Sequence, residues 1–304
     1  ILRLLNVSEL IILINKIDLV DQEMIDLVTL EIQDLINGTK YENSNIFNIS
    51  TINQQGIKEL KNMLENFSKI NKKNDGAFRM PIDRIFSVKG FGTVVTGTVI
   101  SGKINIGDEV NIEPVSKLAK IRGINSHNNV SKSVSRGQRA AINFQNLDKD
   151  DLKRGYQVVD KNFFGGVNSI IAEIEVLGSI EKPIKKNQRI RVHIGTSEVI
   201  GHIFLFNQQN IKGGEISTVL INFEKPIVAS YQDRFIIRHY SPVFTLGGGH
   251  VILHSKIKNH FFNKNMKLSE ISNMVGDMQS INKNKFINFI IERFDLNPIL
   301  FDNL

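Results

Sequence analysis

The segment from Pro81 to Val110 leaves few alternatives to antiparallel β-structure. Thr93 to Ile100 is β-branched except at Gly97, a composition suited to a pleated, half-buried surface. Gly90 and Gly92 flank Phe91, which is the chemistry of a tight reversal between two strands. Asn105-Ile106-Gly107-Asp108 is a turn sequence ahead of a further strand. The segment reads as the opening meander of a small antiparallel barrel. Strands are expected over residues 78–88, 92–100, 109–113, 119–126, 139–144 and 156–159.

Upstream the pattern changes. Residues 10–14 are a short continuous apolar run, as in a strand buried within a parallel sheet. Asp21 is placed to cap a following helix. In that helix Met24, Ile25, Val28, Ile32, Leu35 and Ile36 recur at helical spacing, and Gly38 is placed to end it. Residues 46–49 read as a second strand, and Ile57, Leu60, Leu64 and Phe67 as one face of a second helix. Strand, helix, strand, helix indicates an α/β sheet. The opening Ile1-Leu2-Arg3-Leu4-Leu5 reads as the middle of a helix. With no initiating Met, this suggests a piece of a longer protein.

Ligands of such sheets bind at the carboxyl ends of the strands. Asn15-Lys16-Ile17-Asp18 lies at one such end and Ser50-Thr51 at the other. The N-K-x-D spacing is that of the guanine reader of GTPases. Its carboxylate accepts from the ring N–H and exocyclic amine of the base, the Lys stem lies along the flat ring, and Asn15 braces the loop. The plain alternative is a polar turn after a buried strand. The phosphate-binding pattern G-x-x-x-x-G-K-S/T has one near match, Gly97 to Ile104. Ile104 cannot coordinate magnesium, and a turn follows it rather than a helix whose N-terminus could hold phosphate. It reads as a barrel turn, so the phosphate-binding half of such a domain is expected upstream of Ile1.

Composition narrows the class. The chain of 304 residues has room for about two or three domains. It has no cysteine, which excludes disulfides, thiolate zinc sites and cysteine catalysis. No apolar run approaches the roughly 20 residues of a membrane span. The net charge of +7 suits a polyanion such as RNA, or reflects only a Lys- and Asn-rich composition. His250 and His254 are four apart, and His193 and His202 sit in strand-like runs. They read as core or surface histidines rather than zinc ligands.

Asn71-Lys72-Lys73-Asn74-Asp75-Gly76 is a polar linker. A second all-β region follows the first, with strands expected over residues 170–176, 188–194, 197–206, 215–223 and 234–239. Gly247-Gly248-Gly249 offers either close backbone approach or a flexible loop. Beyond Ser255, Ile287, Ile290, Ile291 and Phe294 have helical spacing, preceded by Lys256, Lys258, Lys264 and Lys267.

Pro81-Ile82-Asp83-Arg84 followed by Phe86-Ser87-Val88-Lys89-Gly90-Phe91-Gly92-Thr93-Val94-Val95-Thr96-Gly97-Thr98 closely resembles the second domain of translational GTPases. Among these it is most similar to the selenocysteine-specific elongation factors (SelB). Gly137-Gln138-Arg139 and Leu152-Lys153-Arg154-Gly155 extend the likeness to about Asp160. Arg234-Phe235-Ile236-Ile237-Arg238 with Gly247-Gly248-Gly249-His250-Val251-Ile252 resembles the end of the third domain. Ser50-Thr51 resembles the second guanine loop, with Thr51 where the family usually has Ala.

The resemblance implies a multidomain α/β plus all-β chain. Residues 1–70 would be the C-terminal half of a GTPase domain, 77–160 and 165–254 two translation-factor β-barrels, and 255–304 the start of a winged-helix RNA-binding region. It implies GTP or GDP with Mg in the intact protein, and a cytoplasmic factor delivering selenocysteinyl-tRNA to the ribosome at UGA codons. An mRNA hairpin would be bound through the C-terminal region. Asn15, Lys16, Asp18, Ser50 and Thr51 would bind guanine, and Asp83, Arg84 and Arg139 would form the selenocysteine pocket. A general aminoacyl-tRNA delivery or initiation GTPase, or a non-enzymatic RNA-binding barrel, are the alternatives. The pocket carries a geometric condition. Neighbours on a regular strand point to opposite faces, so Asp83 and Arg84 can share a site only at a bulge or a strand end.

Overall fold

The computed structural model describes residues 1–66, 76–88, 92–126, 129–145, 147–163, 165–205 and 208–254. The expected winged-helix region, with Ile287, Ile290, Ile291 and Phe294, lies outside the described residues, as do Phe67, the 71–75 linker and the 89–91 connection. The chain divides into two compact units, Ile1–Asn71 and Lys72–Leu304. Among the described residues no helix is long and apolar enough to cross a membrane.

The first unit holds β1 (Ile11–Ile14), α1 (Gln22–Ile36), β2 (Asn45–Asn48) and α2 (Ile57–Asn66). β1 and β2 pair in parallel, from Ile11 opposite Asn45 to Ile14 opposite Asn48. The Asp21 carboxylate caps α1 by accepting from the Met24 N–H at 3.0 Å, and Gly38 just past its end has φ +65°. The buried face of α1 is narrower than the apolar spacing suggests: Ile25 and Ile36 are buried, whereas Met24 and Leu35 are 48% and 79% exposed. The opening residues are not helical. They form turns in which the Leu5 N–H reaches the Ile1 carbonyl and the Asn6 N–H that of Arg3. Asn6, at φ 56°, takes the left-handed conformation that a helix cannot continue.

The second unit begins with a barrel of β3 (Arg79–Val88), β4 (Gly92–Thr98), β6 (Glu109–Glu113), β7 (Lys117–Ser126), β8 (Asn129–Ser131), β10 (Arg139–Gln145) and β11 (Gln157–Asp160), while β5 (Lys103–Asn105) and β9 (Ser133–Ser135) pair as a separate two-stranded sheet. The sheet runs β10-β4-β3-β11-β6-β7-β8, and pairing of β10 with β7 closes the ring. Alternation places Met80, Ile82, Val95, Ile112, Ile121, Ile142 and Val158 in its core.

The second barrel comprises β12 (Val167–Val176), β14 (Gln188–Ile194), β15 (Ser197–Leu205), β17 (Ile216–Ile227), β18 (Arg234–His239) and β19 (Thr245–His254), while β13 (Ile184–Lys185) and β16 (Asn210–Ile211) pair as a separate two-stranded sheet. Its closed order is β12-β17-β15-β14-β18-β19, around Ile174, Ile190, Val192, Ile203, Ile221, Phe235 and Ile237. β17 continues to Ile227, so Pro226 lies within a strand rather than between strands. It sits beside the register shift between Val167 and Ser169, where Pro is tolerated.

The triple glycine belongs to strand β19 and is not a flexible loop. A Cβ on Gly247 would lie 2.1 Å from the Glu175 carbonyl oxygen, and one on Gly249 would lie 1.9 Å from that of Glu173. Close approach of β19 to β12 is the reason for glycine here.

Candidate functional site

Two groups of side chains match the sequence-derived candidates. The first lies at the carboxyl ends of β1 and β2. Lys16 takes the left-handed conformation at φ 66°, and Asn15 Oδ1 accepts from the Lys16 N–H at 2.7 Å, so Asn15 braces its own loop. A single 3₁₀ turn over Ile17–Leu19 follows. The two loops are stitched together: the Ile49 N–H donates to the Ile14 carbonyl and the Ile17 N–H to that of Ile49.

Ser50 is fully buried, and its hydroxyl donates to Asp18 Oδ1 at 2.5 Å. The same oxygen of Ser50 accepts from the N–H groups of Ile52 and Asn53 at 3.3 and 3.4 Å. Ser50 is thus a strut rather than a ligand-facing group. It leaves Asp18 exposed, with one carboxylate oxygen fixed and the other without a hydrogen bond among the described residues. Asn15, Lys16 and Thr51 are exposed around it. A carboxylate held this way is an acceptor pair for two N–H groups on one edge of a planar base.

The second group lies on the outer wall of the first barrel. β3 pairs with β4 at Ile82–Gly97 and again at Arg84–Thr96, so Asp83 is an extra residue in a bulge. Before the bulge Met80 and Ile82 point inward; after it Ile85 packs against the core. Asp83 and Arg84 therefore share the outward face. Thr96 of β4 and Arg139 of β10 face the same way, since Val95 and Ala140 beside them are buried. The geometric condition on adjacent Asp83 and Arg84 is met by this bulge.

The contacts are specific. Arg139 donates from Nη1 to Asp83 Oδ2 at 2.6 Å and from Nη2 to Oδ1 at 3.1 Å, a two-point fork. The Thr96 hydroxyl donates to Asp83 Oδ1 at 2.6 Å. Burial pushes the Asp83 carboxyl upward. Hydrogen bonds from Arg139 and Thr96 and the charges of Arg139 and Arg84 outweigh it, holding the carboxyl below its usual value. The bond to Asp83, against opposing burial, keeps Arg139 more firmly protonated than usual. Arg84 is exposed and makes no side-chain hydrogen bond among the described residues, although its charge is felt by Asp83. Two guanidiniums against one carboxylate leave this face cationic, with Arg84 free to meet a ligand.

Thr96 carried no signal of its own within a β-branched run. Other residues missed by sequence reasoning join the two barrels. Arg79, 8% exposed, donates to both carboxylate oxygens of Asp233 at 3.0 and 2.6 Å and to Gln157 Oε1 at 3.3 Å. Gln157 in turn donates to the Val228 carbonyl. Thr196, in the turn between β14 and β15, donates from its hydroxyl to the Ile82 carbonyl at 2.8 Å. Arg79 and Asp233 are 154 positions apart, which no local pattern can reveal.

Neither barrel is an isolated likeness. Residues 92–159 match the family profile for elongation factor Tu domain 2, and residues 171–258 that for the β-barrel domain of selenocysteine-specific elongation factor. A curated selenocysteine-specific elongation factor from Desulfomicrobium baculatum is 30% identical over 262 residues, covering 84% of this chain and 41% of its own length. The chain therefore spans about two fifths of that relative. A crystal structure of bacterial selenocysteine-specific elongation factor EF-Sec superposes with a TM-score of 0.77 at 24% identity, over 96% of this chain and 46% of the other; it bears on the fold alone. The apo form of translation elongation factor SelB from Methanococcus maripaludis gives 0.71 at 25% identity, over 83% and 58%. On these matches the chain is similar to the selenocysteine-specific elongation factors, with one barrel of the elongation factor Tu domain 2 type and one of the SelB β-barrel type.

Proposed function

We propose that the intact protein binds a guanine nucleotide and selenocysteinyl-tRNA and delivers that tRNA to the ribosome at UGA codons in the cytoplasm. The observation that carries this reading is the bulge that turns Asp83 and Arg84 to one face beside Arg139. A selenol is more acidic than a thiol and is largely a selenolate at neutral pH. A serine hydroxyl is neutral there, and a cysteine thiol, with a reference pKa of about 8.5, is mostly so. A fixed cation therefore separates the three by charge. Arginine suits the task because it stays protonated when desolvated. In this reading Arg84 meets the selenolate, and Asp83 holds Arg139 in register through their two-point fork.

Asn15, Lys16, Asp18, Ser50 and Thr51 form the proposed guanine site, and their chemistry fits the base. GTP or GDP with Mg is the nucleotide expected in the intact protein. When bound, the nucleotide supplies the hydrolysable phosphate that times release. Among the described residues no group of three or more His, Cys, Asp or Glu is placed to hold a metal ion. Binding of an mRNA hairpin is proposed for residues 255–304, outside the described residues.

The test is Arg84→Ala and Arg139→Ala in the full-length protein, with affinities measured for selenocysteinyl-tRNA and seryl-tRNA. Loss of a charge-assisted contact should weaken selenocysteinyl-tRNA about tenfold or more while seryl-tRNA hardly changes. Equal losses for both tRNAs would mean that the arginines hold RNA backbone, and would sink the charge-selection reading.

A further inference from the structure

We propose that Thr196 of the second barrel is a positioning residue for the Asp83–Arg84–Arg139 site of the first. This rests on the selenolate reading of that site. The bulge is built at the peptide joining Ile82 to Asp83, and the carbonyl of that peptide is held by two donors. One comes from the first barrel's own side, the Gly155 N–H at 3.2 Å. The other is the Thr196 hydroxyl at 2.8 Å, from a residue 114 positions away. On its other side Ile82 donates its N–H to the Tyr156 carbonyl at 2.8 Å. The peptide therefore has no freedom to turn while the second barrel is seated.

The turn carrying Thr196 lies in van der Waals contact with β3 and close against Gly155. A Cβ on Gly195 would lie 3.5 Å from the Pro81 ring, and one on Gly155 would lie 2.9 Å from Ser197 Cα. On the opposite strand a Cβ on Gly97 would lie 2.2 Å from the Pro81 carbonyl oxygen, so β4 also grips β3 just before the bulge. With these neighbours fixed, slack at the bulge can be taken up only by the Ile82–Asp83 peptide and the residues C-terminal to it. Rotation of that peptide moves the Asp83 carboxylate, and with it the fork to Arg139 and the bond from Thr96. It also re-aims Arg84, the next residue along. Among the described residues the Thr196 hydroxyl bonds to the Ile82 carbonyl and to none of the three charged groups, so it would act through the backbone. The placement of the second barrel thereby sets the aim of the cations on the first.

Thr196→Val keeps the shape and removes the hydroxyl; Thr196→Ser keeps the hydroxyl. Both are made in the full-length protein beside Arg139→Ala. Affinities for selenocysteinyl-tRNA and seryl-tRNA are measured, with amide hydrogen exchange over residues 82–84 and at Gly155 in the unliganded protein. Thr196→Val should weaken selenocysteinyl-tRNA about fivefold, leave seryl-tRNA unchanged and speed exchange at these amides. Thr196→Ser should match the parent in all three. Unchanged exchange, unchanged selenocysteinyl-tRNA binding, or equal loss for both tRNAs in Thr196→Val would overturn the proposal. If Arg139→Ala is selective and Thr196→Val is not, only the role of Thr196 falls. If Arg139→Ala is itself unselective, the selenolate reading falls and takes this role with it.

Discussion

At the scale of single residues, the two candidate sites use the same device: one carboxylate oriented by a hydroxyl. Ser50 holds Asp18 from a fully buried position, and Thr96 holds Asp83 from a neighbouring strand. The consequence differs. Asp83 has its remaining valence taken by Arg139, whereas Asp18 keeps one oxygen open. Asp18→Asn is therefore informative. Its amide carbonyl can still accept from Ser50, so the loop should persist, but its NH2 is a donor where the guanine edge also donates. In the full-length protein, GTP affinity should fall about tenfold to a hundredfold and XTP affinity should rise. Fluorescence titrations with both nucleotides check this; if neither affinity moves, Asn15-Lys16-Ile17-Asp18 is only a turn after a strand.

At the scale of elements, the glycines of β19 show how a strand can hide in a sequence. Gly249→Ala pushes a methyl group to 1.9 Å from the Glu173 carbonyl oxygen, so β19 must leave β12. The second barrel should lose about 2–4 kcal/mol. Gly123→Ala on β7, where an added Cβ meets nothing within 4 Å, should change stability by less than about 1 kcal/mol. Urea unfolding measures both; equal, small effects would mean that β19 is not pressed against β12. The long strands were legible because β-branched alternation leaves a mark of period two. β5, β9, β13 and β16 were not, since two or three residues carry no period. In β19 three successive glycines separate the core residues Leu246 and Val251, so the alternation vanishes from the sequence while the strand remains. The bulge did leave a trace: the inward residues run Met80, Ile82, Ile85, a step of two and then of three. Reading it as a bulge required the register of β4, and the proposed pocket depends on that register.

At the scale of the whole second unit, the barrels are joined through polar groups that neither could satisfy alone. Arg79 is nearly buried, and its charge is met by Asp233, by Gln157 and, 5.4 Å away, by the ring of Phe163. Asp233 has a local partner as well, the Ser230 N–H at 2.8 Å. Removing either partner is therefore unequal. Arg79→Met leaves a carboxylate that is 19% exposed and still hydrogen-bonded, whereas Asp233→Ala leaves a buried guanidinium with no counter-charge, only a neutral amide and the Phe163 ring. An uncompensated buried charge costs about 3–5 kcal/mol, so Asp233→Ala should be the more damaging. Its cost falls on the seam between the barrels rather than on either core, because the apolar cores are separate clusters. Calorimetry should then resolve two unfolding transitions for the barrels in Asp233→Ala where the parent shows one, and the double variant Arg79→Met/Asp233→Ala should recover part of the loss. A single, unshifted transition in Asp233→Ala would mean that the barrels are held by their apolar and backbone contacts alone, with the Arg79–Asp233 pair incidental to the seam.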